Sequence, residues 1–161
     1  MTETIIKSRA RVKATGEVFT PAHIVNQMLD LIPVETYANP LSTWLEPACG
    51  TGNFLVQILK RKLSHGRGKT HALQCVSSLY GVDIANDNIQ ECRAVLERLV
   101  GLVVDTDPAF LRQVNDILHH NIVRGDTLNH PDMVPIWEYH WIGDTFTRSG
   151  HTLASLQRMT A

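Results

Sequence analysis

Between residues 44 and 54 the chain reads Trp-Leu-Glu-Pro-Ala-Cys-Gly-Thr-Gly-Asn-Phe, a short apolar strand running straight into a glycine turn and a helix. Thr43, Trp44 and Leu45 have strand character. Gly50 and Gly52 give the backbone freedom and leave no side chain in the way of a ligand. Asn53 is a good N-cap residue, and the expected helix, Phe54–Leu63, carries apolar residues at a period near 3.6. A strand that ends in a glycine loop at a helix N-terminus presents outward N–H groups, and the helix dipole there favours negative charge. Glu46 changes what such a loop can hold. A carboxylate at that position repels phosphate and suits a ligand that brings its own cation, such as an amine. The third glycine of a dinucleotide fingerprint is missing, and so is the Gly-Lys-Ser/Thr of a P-loop.

Glu46-Pro47-Ala48-Cys49-Gly50-Thr51-Gly52-Asn53-Phe54-Leu55 closely resembles the S-adenosylmethionine loop of DNA amino-methyltransferases, particularly the adenine-N6 group. The resemblance implies S-adenosyl-L-methionine as cofactor and Glu46, Pro47, Ala48, Cys49, Gly50, Gly52, Asn53 and Phe54 as residues around it. Upstream, Phe19-Thr20-Pro21 opens an amphipathic stretch to about Leu31, with Thr20 as N-cap and Pro21 preorganised at the first helical position. Its apolar face is Ile24, Val25, Met28, Leu29 and Ile32. Phe19-Thr20-Pro21-Ala-His-Ile-Val resembles the N-terminal cofactor motif of the same enzymes, whose Phe-Thr-Pro turn lies over the methionine end of the cofactor. Its position before the glycine loop matches the group whose target-recognition region comes last.

Further along, Val34–Ser42 reads as a connector, His71–Ser78 as a short helix and Leu79–Ile84 as the second strand. Asp83 then stands at a strand's carboxyl end, where open α/β sheets bind ligands. A carboxylate there can accept both hydroxyls of a ribose, and the resemblance assigns Asp83 that task with Ile84 on the adenine face. The competing reading is an acid at the N-terminus of the next helix, a role open to Asn86 and Asp87 as well. Helices are expected over Asp87–Val103 and Ala109–Leu118. Asn121–Leu128 reads as a strand ending in Gly125-Asp126, similar to the family's third cofactor motif, in which the acid accepts from the adenine amino group.

The family's chemistry lies on a fourth motif, Asp/Asn/Ser-Pro-Pro-Tyr, which holds an extruded adenine. Extrusion is needed because that amine is otherwise inside the duplex. These 161 residues contain no such tetrapeptide. Trp137–Ile142 is read as the fourth strand, which puts Asp144 of Gly143-Asp144-Thr145-Phe146 where the motif should start. That segment is either a degenerate motif or a surface turn. No catalytic residue is assigned.

The expected fold is therefore α/β: a Rossmann-like methyltransferase fold with a truncated, mostly parallel sheet and flanking helices. The expected organisation is a basic N-terminal arm over 1–15, a cofactor-binding domain over 16–146 and a C-terminal tail over 147–161 that holds one short helix. Lys7, Arg9, Arg11 and Lys13 make the arm either a solvated end or a phosphate-contacting segment. A sheet cut at its fourth strand leaves an apolar edge. Trp137, Tyr139, Trp141 and Ile142 are accordingly expected to pack on the tail, on another copy or on a partner chain.

Composition excludes little. A formal net charge of −1 gives no chain-wide footprint for nucleic acid. No apolar run reaches the roughly eighteen residues of a membrane span. Cys49, Cys75 and Cys92 have no metal-ligand spacing, the histidines (His119-His120 among them) form no metal pattern, and no metal is expected. An odd cysteine count without a signal peptide fits the cytoplasm. Three functions remain open: a DNA adenine methyltransferase acting with a partner or a degenerate site, a cofactor-binding module or relic without transfer, and methylation of another substrate. The Asn53-Phe54 form of the loop favours DNA over the last of these.

Overall fold

The computed structural model describes residues 6–8, 10 and 20–159. Phe19 and most of the basic arm lie outside the described residues. The elements are α1 (Ala22–Leu29), α2 (Val34–Ala38), β1 (Trp44–Glu46), α3 (Asn53–Leu63), α4 (Gly68–Ser77) and β2 (Leu79–Asp83). They continue with α5 (Asn86–Val103), α6 (Pro108–Asn121), β3 (Ile122–Arg124), a 3-10 turn (Pro131–Met133), β4 (Pro135–Ile142), β5 (Thr145–Thr152) and α7 (Leu153–Met159).

β1, β2 and β3 form a parallel sheet in that order, with Glu46 beside Gly81 and Asp83 beside Arg124. Two bonds carry the ladder past the strand ends: Cys49 N–H to the Val82 carbonyl (2.8 Å) and Gly125 N–H to the Asp83 carbonyl (3.0 Å). These bonds align the three loops that follow the strands. One sheet face meets α3, α5 and α6 in a core that includes Leu55, Leu59, Leu79, Ile89, Leu96 and Ile122. The other face, with Tyr80, Val82 and Val123, is covered by Val134, Ile136 and Leu153. The crossover helices thus cover one face, and the segments around β4 and α7 cover the other.

Several expectations are corrected. Residues 34–38 of the connector form α2, whose Tyr37 is buried and donates to the Leu29 carbonyl (2.7 Å). α1 starts at Ala22, with Pro21 rather than Thr20 at the cap position. Trp137–Ile142 is not a fourth parallel strand. β4 and β5 make a separate antiparallel hairpin, so residues 145–152 are strand, and only 153–159 of the expected tail is helix. The period-2 pattern explains the difference. Trp137, Tyr139 and Trp141 lie on one side of β4, while Glu138, His140 and Ile142 between and beyond them are exposed and only Ile136 at the start of the other side is buried.

The chain itself covers that aromatic face. Tyr139 Oη donates to Asn121 Oδ1 of α6 (3.0 Å) and Trp141 Nε1 to Ser77 Oγ of α4 (3.2 Å). Phe146 packs on both rings. Ile142 remains exposed. Asp144 sits in the hairpin turn after Gly143 and accepts from Thr70 of α4 (2.9 Å), which makes it a turn residue.

Candidate cofactor site

The site begins with the turn between β1 and α3. Gly50 (φ 53°) and Gly52 (φ 94°) both take backbone conformations that L side chains rarely adopt. Gly52 N–H closes the turn on the Cys49 carbonyl (2.9 Å), and Gly52 is itself the cap of α3. A Cβ at Gly52 would lie 2.6 Å from Cys92 Sγ of α5, so the turn is pressed against that helix. Asn53 is the first residue of α3 and does not cap it. Instead its amide nitrogen donates to the Thr20 carbonyl (2.8 Å). That bond ties the segment ahead of α1 to the glycine turn and leaves Pro21 next to the same junction. Ala22, Thr51, Asn53 and Glu91 line a hollow of about 180 Å³ there.

Glu46, at the end of β1, is half-buried. It shares a hollow of about 210 Å³ with Met28, Ile32, Trp44, Leu45 and Phe54. Burial pushes its carboxyl above the ordinary carboxylate range, and a long contact from Ala48 N–H (3.4 Å) opposes that only in part. A buried carboxylate of this kind is stabilised by an incoming cation. Pro47 and Ala48 are exposed at the rim.

Asp83 ends β2. Its Oδ2 accepts from Gly50 N–H (3.0 Å), which joins the second strand's acid to the first strand's turn. Its Oδ1 accepts from Ala85 N–H (2.8 Å) and from Asn88 Nδ2 (3.3 Å). Both readings of this acid thus have a physical counterpart, because it braces the entry to α5 and also faces the glycine turn. Ile84 beside it is 47% exposed, an apolar surface at the carboxyl edge of the sheet. The Cys49 thiol lies within the field of both Glu46 and Asp83. Contact with the Cys92 thiol, burial and the two acids all push it far above the ordinary thiol range. It is a buried packing group.

Asp126 follows β3. Its Oδ1 accepts from Leu128 N–H (3.1 Å) and Asn129 N–H (2.9 Å), and its Oδ2 from Asn129 Nδ2 (2.8 Å). Asn129 and these backbone donors hold its carboxyl below the usual range. Thr127 Oγ1 donates to the Pro47 carbonyl (3.2 Å), which brings this loop to the β1 loop. The structure therefore places Glu46 and Asp83 both near Cys49 and the Asp126 loop against Pro47. Asp126's own carboxylate closes its own turn.

Asn88 was missed in the sequence, and Lys7 was read there only as part of the basic run. Asn88 is wholly buried beneath Asp83, and Lys7 Nζ donates to its Oδ1 (2.9 Å). Lys7 also pairs with Glu91 (2.8 Å) and Asp87 (3.3 Å). At least this member of the basic run is engaged with α5 rather than held out for phosphate. Among the described residues no group of His, Cys, Asp and Glu is arranged to hold a metal ion, and no helix is long and apolar enough to cross a membrane.

Fold and site together define an α/β domain that gathers acids and a glycine turn at the carboxyl ends of parallel strands. The family model described as N-6 DNA Methylase matches residues 1–135, and the chain belongs to that family. Over 70 residues it is 36% identical to the type II restriction enzyme and methyltransferase RM.BcgI of Heyndrickxia coagulans. That match covers 43% of this chain and 10% of the relative. No solved structure matches.

Proposed function

We propose that the carboxyl edge of the sheet binds S-adenosyl-L-methionine and that the chain is the cofactor-binding part of a DNA adenine-N6 methyltransferase. The observation that carries this reading is the bond from Gly50 N–H to Asp83 Oδ2, which joins the glycine turn of β1 to the acid of β2. The parallel order β1-β2-β3, with ligand-facing groups at the strand ends, supports a Rossmann-like sheet. The half-buried Glu46 suits the amino group of the methionine moiety. Asp83 suits a ribose hydroxyl, Ile84 the adenine face and Asp126 the adenine amine through its remaining Oδ2 lone pair. Thr20 and Pro21, tethered by Asn53, suit a cover over the methionine end. When bound, the cofactor supplies an electrophilic methyl group. The contribution of these residues is orientation and exclusion of water. DNA as substrate and a restriction-modification setting belong to the same proposal and are supported by the family and by the activity of the relative, and a cytoplasmic location is proposed with them.

A second reading has its own observation. Asp144, the nearest counterpart to a catalytic acid, is bonded to Thr70 in a hairpin turn. A cofactor-binding module that serves as a subunit or regulator, without transfer of its own, fits that placement.

Calorimetry with S-adenosylhomocysteine tests the site. Glu46→Ala and Asp83→Ala should each weaken binding by about tenfold or more, since each removes a charge-assisted bond. Unchanged affinity in both variants would overturn the assignment. Tritiated methyl transfer to unmethylated DNA separates the enzyme from the module.

A further inference from the structure

Pro47 and Thr127 sit on loops that follow strands which do not touch. β2 lies between β1 and β3, and strands two places apart in a sheet stand about 10 Å from each other. The loop after β3 nevertheless reaches across the end of β2, and Thr127 Oγ1 donates to the Pro47 carbonyl (3.2 Å). The turn that carries Thr127 is itself fixed. Asp126 Oδ1 accepts from Leu128 N–H (3.1 Å) and Asn129 N–H (2.9 Å), and His130 N–H donates to the Asp126 carbonyl (3.1 Å).

The peptide that receives the hydroxyl has a second bond. The Pro47 carbonyl and the Ala48 N–H belong to one planar unit. Among the described residues, that N–H is the donor that reaches Glu46 Oε1 (3.4 Å). The ring of Pro47 fixes its own φ, so this peptide turns only through ψ of Pro47 and φ of Ala48. The bond from Thr127 opposes that turning. We propose that Thr127 is a positioning residue for Glu46: through the Pro47–Ala48 peptide it fixes where the β1 carboxylate stands relative to Asp126, and so the span between the two ends of the ligand. This rests on the cofactor reading above. Hydrogen bonds at the two ends of one peptide also polarise each other. Without the hydroxyl the peptide is free to turn, Glu46 loses its aimed donor, and the methionine amine is no longer held at a set distance from the adenine end. A ligand that has only the adenosine part does not sense the change.

The test compares S-adenosylhomocysteine, which has both ends, with adenosine, which lacks the amino acid end, by calorimetry on the full chain. The wild type should favour the former by about tenfold or more, the worth of a charge-assisted bond at Glu46. Thr127→Val, close in shape and without the hydroxyl, should lower that preference to about threefold or less while adenosine affinity stays within about twofold. Thr127→Ser keeps a hydroxyl and should restore the preference. In a Glu46→Gln background Thr127→Val should have no further effect on the preference, because the residue it works through has lost its charge. Ser64→Ala removes a hydroxyl-to-carbonyl bond at the far end of α3, from Ser64 Oγ to the Arg61 carbonyl (2.7 Å), and should leave the preference in place. A Thr127→Val variant that weakens both ligands by one common factor, or neither, overturns the proposal, since a residue that only shapes the loop does not tell the two ligands apart. Should Thr127→Val fail to fold, Thr127→Ala carries the same comparison. A wild type that binds neither ligand, or both equally, overturns the cofactor reading itself, which is a different result from a preference that the Thr127 variants leave unmoved.

Discussion

Gly52 is the position where backbone conformation and packing can be separated by experiment. Replacing it with alanine has two costs. The φ of 94° is left-handed backbone, worth about 1–2 kcal/mol against an L residue. The new Cβ would also stand 2.6 Å from Cys92 Sγ, and overpacking of that kind costs roughly 1–3 kcal/mol. Loss of glycine's freedom in the unfolded chain returns about 0.4–1 kcal/mol. Gly52→Ala should therefore destabilise by about 2–4 kcal/mol. Cys92→Ala alone removes one buried sulfur and should cost about 1–2 kcal/mol. In the double variant the sulfur is gone, and the next atoms, Cys92 Cβ and Cα, are at 3.5 and 3.6 Å, ordinary contact distances. The overpacking share disappears and the dihedral share stays. The double variant should thus be more stable than the sum of the singles predicts, by about 1–3 kcal/mol. Urea unfolding followed by tryptophan fluorescence measures all four corners of the cycle, provided the m-values agree. Additivity to within about 0.5 kcal/mol would refute the claim that the turn is pressed onto α5 through this one sulfur.

Lys62 is wholly buried, and its ammonium donates to the Asn39 carbonyl (3.1 Å) and the Ser42 carbonyl (2.7 Å). Burial lowers its pKa from 10.5 to about 8, so above pH 8 the unfolded chain binds the extra proton and stability rises with pH. Buried thiols and phenols titrate against this trend, so the check is the difference between wild type and Lys62→Met. The wild type should gain about 1.4 kcal/mol relative to the variant between about pH 7 and pH 9, and parallel curves would contradict it. Along β1 and α3, Leu45 is 45% exposed and Leu55 is 0% exposed. Leu45→Ser should cost about 1 kcal/mol or less and Leu55→Ala about 2–5 kcal/mol by denaturant unfolding, and equal costs would contradict the placement of the sheet edge.

The parts legible in the sequence are those fixed by local pattern. The strand-turn-helix of residues 44–63 could be read because two glycines and an apolar period of 3.6 specify it without help from distant residues. The same holds for α5: of its apolar stripe Ile89, Cys92, Leu96 and Val100 are buried and Val95 and Leu99 half-buried, while Asn88 on the buried face is outside the pattern. The errors fall where partner and direction matter. A run such as Trp137–Ile142 specifies a strand but not its neighbour. The neighbour proved to be β5 rather than the parallel sheet, because Gly143-Asp144 permits a tight reversal and α4 and α6 offer the aromatic face a seat. Asn53 was misread for a related reason. Asparagine ahead of an apolar helix is a common cap, yet here the carbonyl of Thr20, thirty-three residues earlier, comes within reach and takes the amide. No local rule points to Asn88 either. Its signal is burial of a polar group, and that exists only after the chain has folded.

The acids of the three strand ends differ in how much of their bonding capacity the protein already uses, and that difference orders their roles. Asp126 and Asp83 each accept three described bonds, which leaves each with one free position. These are rigid, polarised acceptors for single neutral donors such as a hydroxyl or an amine N–H. Glu46 accepts one long bond and is half-buried, with its carboxyl pushed upward. Its desolvation is uncompensated until a cation arrives, so the coupling between ligand charge and site stability is concentrated there. Removing the positive charge of a ligand should then cost most at the end of β1, while removing a hydroxyl should cost most at the end of β2. On the proposed cofactor reading, the two ends of the ligand are recognised by different physics, charge at one and hydrogen bonds at the other.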